Sequence, residues 1–140
     1  SSDLEALDAD YEIAKEAYLE YFRKMHQLFP KCKKMLMAVR NQIASSHHTL
    51  SGLLYDAVED QLYTTRIYDI EPIVDPMGVG DAFIAAYIHA HQKWGDKNQY
   101  CLDFSLSASA IKNTVPGDQN LVTEEEIINN MTSSGGRIQR

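Results

Sequence analysis

The chain has 140 residues, of which 20 are acidic and 13 basic, so its formal net charge at pH 7 is −7. Hydrophobic residues make up 44% of the sequence, which is typical of a globular domain and unlike a disordered or fibrous chain. The acidic balance excludes a general nucleic-acid binder, because no basic face is present to displace counterions from a phosphate backbone. No apolar run reaches about 18 residues, and the acidic start is unlike a secretion signal. We therefore expect a cytoplasmic protein with neither nucleic-acid nor membrane partners.

The first half of the chain predicts one helix followed by strands. Between Leu4 and Phe29 the apolar residues recur at the spacing of an amphipathic helix. The uninterrupted apolar run 35–39 is typical of a buried parallel strand, and the polar stretch 40–49 is predicted to be a loop. Apolar runs on both sides of the polar segment 56–60 predict a β-hairpin.

The second half predicts three helices. The first is rich in small residues, begins after Asp81 and runs to Trp94, with Gly95 as its C-terminal stop. The second runs from 99 to 112 with Asn98 as its cap, and a capping box opens the third, 123–131. Strands flanked by helices indicate an α/β layer architecture.

Residue types that bind transition metals are scattered and lack partners at a metal-ligand spacing, so we expect none of them to hold a metal. Those considered are the two cysteines, Cys32 and Cys101, and four of the five histidines, His47, His48, His89 and His91.

The segment from Val74 to Phe83 carries the strongest functional signal. Two glycines separated by one residue, at 78 and 80, allow a sharp turn and the close approach of an anion. Because a helix follows at once, the amides of 78–81 should point at that anion, aided by the positive end of the helix dipole. Asp81 would supply a carboxylate that accepts the proton of a substrate hydroxyl as its oxygen attacks phosphorus. The same residues also fit a plain tight turn with an aspartate that compensates the dipole. The spacing is neither the Walker nor the dinucleotide-binding pattern.

The pattern D-x-x-G-x-G-D before a small-residue helix resembles the second signature of the ribokinase (PfkB) family of carbohydrate kinases. The stretch SAIKNTVPGDQNLVT, 109–123, is similar to the nucleotide-side segment of one branch, the 2-keto-3-deoxygluconate kinases, with shorter matches at 52–56, 68–70 and 136–140. The resemblance covers nearly the whole chain, but only as the family's C-terminal half. It implies a ribokinase-like three-layer α/β/α sandwich in which residues 1–140 form the C-terminal, nucleotide-binding part of a larger domain.

The resemblance also implies roles for individual residues. Asp81 matches the family's catalytic base, and Gly78, Val79 and Gly80 match its anion hole. Asp75 matches the carboxylate that helps to bind a monovalent cation, here K⁺, although Pro76 and Met77 replace the usual threonine-containing pair. The residues expected to contact the nucleotide are Arg40, Gly78, Gly80, Ser105, Lys112, Asn113 and Gly117.

The implied activity is ATP-dependent phosphorylation of a hydroxyl of a small sugar acid, with 2-keto-3-deoxygluconate as the expected substrate and Mg²⁺ arriving with ATP. We expect the complete protein to be a homo-oligomer and the 140-residue chain alone to be inactive. Two alternatives stay open: a non-catalytic nucleotide-binding or interaction module of the same fold, and another sugar or nucleoside kinase of the family.

Overall fold

A computed structural model of the protein describes residues 2–44, 47–70, 79–113, 123–132 and 137–138. Helices and strands are mixed along the chain, and the predicted α/β class is confirmed. The elements are α1 (Ser2–Leu28), β1 (Lys34–Ala44), β2 (His47–Asp56), β3 (Gln61–Thr64), β4 (Tyr68–Ile70), α2 (Val79–Trp94), α3 (Asn98–Lys112), α4 (Glu124–Thr132) and β5 (Arg137–Ile138).

The strands form one five-stranded sheet in the order β1-β2-β4-β5, with β3 paired to β2. The β2–β4 pair is antiparallel, so that His48 lies opposite Ile70 and Leu50 opposite Tyr68. The β4–β5 pair is parallel. From His48 to Asp56 every residue of β2 is buried, which shows that both faces of this strand are covered.

The sequence interpretation of 35–49 was wrong about the extent, the direction and the burial of the first strand. The strand predicted at 35–39 runs from Lys34 to Ala44, and the predicted loop 40–49 is occupied by the end of β1 and the start of β2. With two residues between them, the neighbouring strands β1 and β2 can only run antiparallel, because a parallel pair needs a long crossover. Nor is β1 buried, since Ala38 and Arg40 are exposed. Polar residues are tolerated where a strand has a solvated side.

The chain divides into two compact units, Ser1–Leu36 with Leu54–Leu62 and Met37–Leu53 with Tyr63–Arg140. In the first unit Phe22 of α1 is buried and stacks on Tyr55 with the ring centroids 5.7 Å apart. Arg23 donates from Nε and Nη2 to the two oxygens of Asp60 at 3.0 and 2.9 Å. The Tyr55 hydroxyl donates to the same carboxylate at 2.7 Å. The hairpin turn predicted around 56–60 is confirmed. Its last residue, Asp60, is held to α1 by the hydrogen bonds from Arg23.

In the second unit α2 and α3 pack against each other, and α4 packs on α3. The small residues of α2 permit this close approach, and α3 is buried along most of its length. The core consists of Ala90, Cys101, Phe104, Ala108, Ile111 and Ile127.

The helix ends agree with the local signals at most positions. Gly95 follows α2 with φ +58°, the left-handed conformation expected of a C-terminal stop. Thr123 Oγ1 accepts a hydrogen bond of 3.1 Å from the Glu126 amide, as the capping box predicts. Asn98 is not the cap of α3, however: it is the first helical residue, and Lys97 occupies the cap position without a side-chain hydrogen bond. None of the helices in the described ranges is both long and apolar enough to span a bilayer.

Candidate functional site

The first turn of α2 contains three of the residues singled out in the sequence. The helix begins at Val79, three residues earlier than expected, so Gly80 and Asp81 are its second and third residues. The first N–H groups of a helix have no partner within it, so the amides of these residues are available to an anion at the positive end of the dipole. A Cβ atom added to Gly80 would meet nothing within 4 Å, and Asp81 is exposed. An anion and a hydroxyl-bearing substrate therefore have access to the same turn.

Asp81 also belongs to an exposed apolar face of α2. Ile84 and Ile88 follow it at spacings of three and seven residues, which places all three side chains on one side of the helix. Ile84 is 48% exposed and Ile88 is 53% exposed, which are high values for isoleucine. The carboxylate and an apolar stripe thus share one accessible surface.

Other predicted site residues gather around a histidine that the sequence interpretation did not assign to the site. His48 is 1% exposed, and its pKa is lowered by burial and by the charge of Arg40, against an opposing contribution from Asn113. Asn113 therefore lies near this buried ring, and the charge of Arg40 acts on it. Beside it, His47 pairs with Asp69. The sequence interpretation considered His48 only as a metal ligand, because it took the segment 40–49 as a loop and so missed the strand β2, in which His48 is buried.

The remaining predicted nucleotide contacts have different surroundings. Asn113 caps the C-terminus of α3, and its Nδ2 donates to the Ser109 carbonyl at 3.2 Å. Ser105 is fully buried, and its hydroxyl donates to the Cys101 carbonyl at 2.6 Å. Lys112 is buried as well. Asp75, Gly78 and Gly117 lie outside the described residues.

A cavity of about 280 Å³ lies between α2, α3 and α4. Its wall begins at Ala82, directly after Asp81 in the chain. Glu124 closes one side: it accepts hydrogen bonds from Lys93 at 2.6 Å and contacts His89 Nε2 at 2.9 Å, and these two contacts lower its pKa. The apolar part of the lining is formed by Ala82, Ala85, Ala86, Phe104, Ala108 and Ile127.

These features suit a ligand with an anionic end and a flat, weakly polar body. The open helix N-terminus fits the anion, and the neighbouring apolar cavity can exclude water from the rest. Within the described ranges no group of three or more His, Cys, Asp or Glu side chains is arranged to hold a metal ion.

Comparison with solved structures shows which known proteins share the fold of the chain. The chain superimposes on 2-dehydro-3-deoxygluconokinase from Thermotoga maritima with a TM-score of 0.76 and 27% identity, over 84% of this chain and 34% of that one. It matches a PfkB family carbohydrate kinase from Listeria grayi with a TM-score of 0.75 and 29% identity, over 81% of this chain and 34% of that one. A third structure, from Enterococcus faecalis, has 17% identity and a TM-score of 0.67, over 79% of this chain and 31% of that one, and shows the fold alone.

No family model and no curated protein matches the chain. The chain spans about a third of the length of the solved kinases that it resembles. Within that length, the described part of the protein has the α/β fold of the PfkB carbohydrate kinases, the family that its glycine-aspartate motif resembles.

Proposed function

We propose that the complete protein is an ATP-dependent sugar kinase in which Asp81 is the general base. The observation that carries this proposal is the coincidence, in one helical turn, of amides that have no partner within the helix, open space at Gly80 and an exposed carboxylate. Phosphoryl transfer needs little more from a protein than positioning, a proton acceptor and stabilisation of the charge on the transferred group.

In the proposed mechanism the chain contributes two functions from one helix end. The Asp81 carboxylate orients a substrate hydroxyl and takes its proton as the oxygen attacks. The amides of Val79, Gly80 and Asp81, with that of Gly78 as the sequence predicts, stabilise the negative charge on the phosphoryl oxygens. Since these donors are fixed by the helix, they need not reorganise during the reaction.

ATP is the proposed phosphoryl donor, and it would supply the γ-phosphoryl group together with its Mg²⁺. The apolar cavity that begins at Ala82 has room for a planar base, while the first turn of α2 accepts the phosphate end. Arg40 and Asn113 remain proposed nucleotide contacts, and both influence the pKa of the buried His48. K⁺ at Asp75 stays a prediction.

The proposed substrate is a small sugar acid, with 2-keto-3-deoxygluconate as the specific candidate. Two observations support it: segment 109–123 resembles that branch of the family, and the Thermotoga maritima structure is named 2-dehydro-3-deoxygluconokinase. The proposed setting is the cytoplasm, and the proposed assembly of the complete protein is a homo-oligomer.

The test is sugar-dependent ADP release by the complete protein with ATP and 2-keto-3-deoxygluconate. Asp81→Asn keeps the size of the side chain but removes the proton acceptor, so kcat should fall by about 10²–10⁴-fold, while the midpoint of unfolding stays near wild type. Glu125→Gln removes one exposed charge from α4 and should leave turnover unchanged. Near wild-type turnover of Asp81→Asn would contradict the assignment of the base.

A second candidate is a non-catalytic nucleotide-binding module of the same fold. Calorimetry separates the two possibilities. ATP binding by the complete protein without any sugar-dependent ADP release supports the module, whereas ADP release that depends on Asp81 supports the kinase. For the 140-residue chain alone we expect no sugar phosphorylation.

A further inference from the structure

A second cavity, of about 180 Å³, lies in the second unit near the start of α3. Arg66 and Tyr68 contribute to its wall from the chain beside β4, and Gln99 and Asp103 contribute from α3. Asp103 precedes Asn113 by ten residues, which corresponds to about 15 Å along the helix. This cavity is therefore separate from the predicted nucleotide contacts Lys112 and Asn113. Ser105 is nearer in the chain, but two residues in a helix differ by about 200° in direction, and Ser105 does not line the cavity.

The positive charge that lines the cavity is the guanidinium of Arg66, which two contacts hold in place. Arg66 lies over the ring of Tyr68, with its Cζ atom 4.6 Å from the ring centroid. Its Nη2 donates to the carbonyl of Asn130 at 2.8 Å. A guanidinium fixed in its plane is suited to recognising a carboxylate, because its donors match the two carboxylate oxygens.

The negative side is the carboxylate of Asp103. Gln99 Nε2 donates to its Oδ1 at 3.0 Å, but no ion pair joins Asp103 to another residue in the described ranges. Burial raises its pKa, and the hydrogen bond from Gln99 and the charge of Arg66 offset this effect only in part. A desolvated carboxylate without a contacting cation is costly, so a cation placed in the cavity would be stabilised there.

We propose that this cavity binds a small zwitterion of the amino-acid type, whose carboxylate contacts Arg66 and whose ammonium group contacts Asp103. The two charges of opposite sign line one cavity, as the two ends of such a ligand require. The volume corresponds to roughly six water molecules, which suits a ligand of about six to ten non-hydrogen atoms. The ligand class differs from the sugar acid proposed for the first turn of α2, because a sugar acid brings no cation to Asp103.

Titration of the isotope-labelled 140-residue chain by NMR tests the proposal. L-alanine and γ-aminobutyrate are the probes; lactate, propionate and propylamine each lack one of the two charges. We expect saturable shifts of the amides of Gln99, Asp103 and Arg66 with the zwitterions, and dissociation constants at least tenfold higher for the analogues, since a hydrogen bond to a charged group contributes more than one factor of ten. No saturable shift with either zwitterion overturns the proposal, as does lactate binding as tightly as L-alanine.

A matched pair of variants tests the role of Asp103. Asp103→Asn retains the shape and the hydrogen bond from Gln99 but removes the negative charge, so zwitterion affinity should fall at least tenfold. Its fold should be retained, because burial already disfavours the charged form. Glu125→Gln removes a charge remote from the cavity and should bind as wild type does. Unchanged affinity in Asp103→Asn overturns the proposal, and because this readout involves neither ATP nor sugar, it is independent of the kinase assignment.

Discussion

Two glycines at opposite ends of α2 should respond in opposite directions to the same substitution. Gly95 follows the helix with φ +58°, whereas Gly80 lies within its first turn, and a Cβ atom at either position meets nothing within 4 Å. Steric contact therefore cannot contribute to either substitution, and backbone conformation alone decides the sign.

At Gly95 an alanine must adopt the left-handed region, which costs about 1–2 kcal/mol. Part of this cost is offset by the lower entropy of the unfolded chain, about 0.4–1 kcal/mol. Gly95→Ala should therefore destabilise the protein by about 1 kcal/mol, even though the hydrogen bond of 2.9 Å from the residue 95 amide to the His91 carbonyl is retained. At Gly80 the backbone is helical, so alanine should stabilise the protein by about 0.5–1 kcal/mol.

Urea unfolding of the 140-residue chain measures the change in the free energy of unfolding for each variant. In thermal unfolding, the midpoint of Gly80→Ala should lie about 5 °C above that of Gly95→Ala. Gly95→Asn is the control, because asparagine tolerates the left-handed region better than alanine does. If Gly95→Ala is as stable as wild type, or if Gly80→Ala is the less stable variant, the helix ends differ from those described. In the complete protein Gly80→Ala should also lower kinase activity despite its greater stability, since the new methyl group occupies the approach to the amides.

Three further predictions concern stability. Thr123→Ala removes the cap of α4 and should cost about 1 kcal/mol in urea unfolding, whereas Thr123→Ser, which keeps the hydroxyl, should cost much less. Leu106→Ala in the buried face of α3 should cost about 2–5 kcal/mol, whereas Ile84→Ala on the exposed face of α2 should change stability by less than about 0.5 kcal/mol. Hydrogen bonds from Arg23 and Tyr55 lower the pKa of Asp60 from 3.8 to about 2. The ionised Asp60 carboxylate therefore stabilises the folded state fully above about pH 4, and this contribution is lost as the pH falls through about 2. Asp60→Asn should abolish the loss of stability that this residue causes between about pH 4 and pH 2. If the free energy of unfolding of the variant falls with pH in this range as steeply as that of the wild type, the role given to Asp60 is wrong.

The helices were predicted well because their signals are local. The stop at Gly95 and the capping box at Thr123 depend on residues within one turn of each helix end. The cap of α3 was predicted at Asn98, one residue too late. The true cap, Lys97, makes no side-chain hydrogen bond to the helix, so its residue type gives no capping signal.

The sheet was predicted less well because strand neighbours are not encoded locally. Nothing in the sequence of 40–49 indicates that Arg40 lies in a strand. Its polar side chain is compatible with β1 because it is exposed, and that exposure depends on which strands and helices lie beside it. The same error concealed the burial of His48. Its proximity to Asn113 links residues 65 positions apart, and only the packing of α3 against the sheet creates it.

For the candidate site, the informative signal was the order glycine, glycine, aspartate, helix. It predicted a helix N-terminus at this point of the chain, because that signal is local, but the helix begins at Val79 and not after Asp81. The roles of the amides and of Asp81 stay predictions. The cavities could not be predicted in this way. Asp103 and Arg66 lie 37 positions apart, and neither has neighbours in the sequence that would indicate a pocket.

The face of α2 that carries Asp81 adds a physical argument about how the site is completed. Ile84 and Ile88 leave about half of their side-chain surfaces in water, although burying such a side chain contributes roughly 1.5–3 kcal/mol. An element that covered this stripe would gain that free energy and, because Asp81 lies on the same side of the helix, would also form a wall of the site in front of the carboxylate. The solved kinases of this fold are about three times as long as the chain. If such an element also bordered the substrate of the proposed reaction, covering the stripe and completing the site around Asp81 would be one packing event.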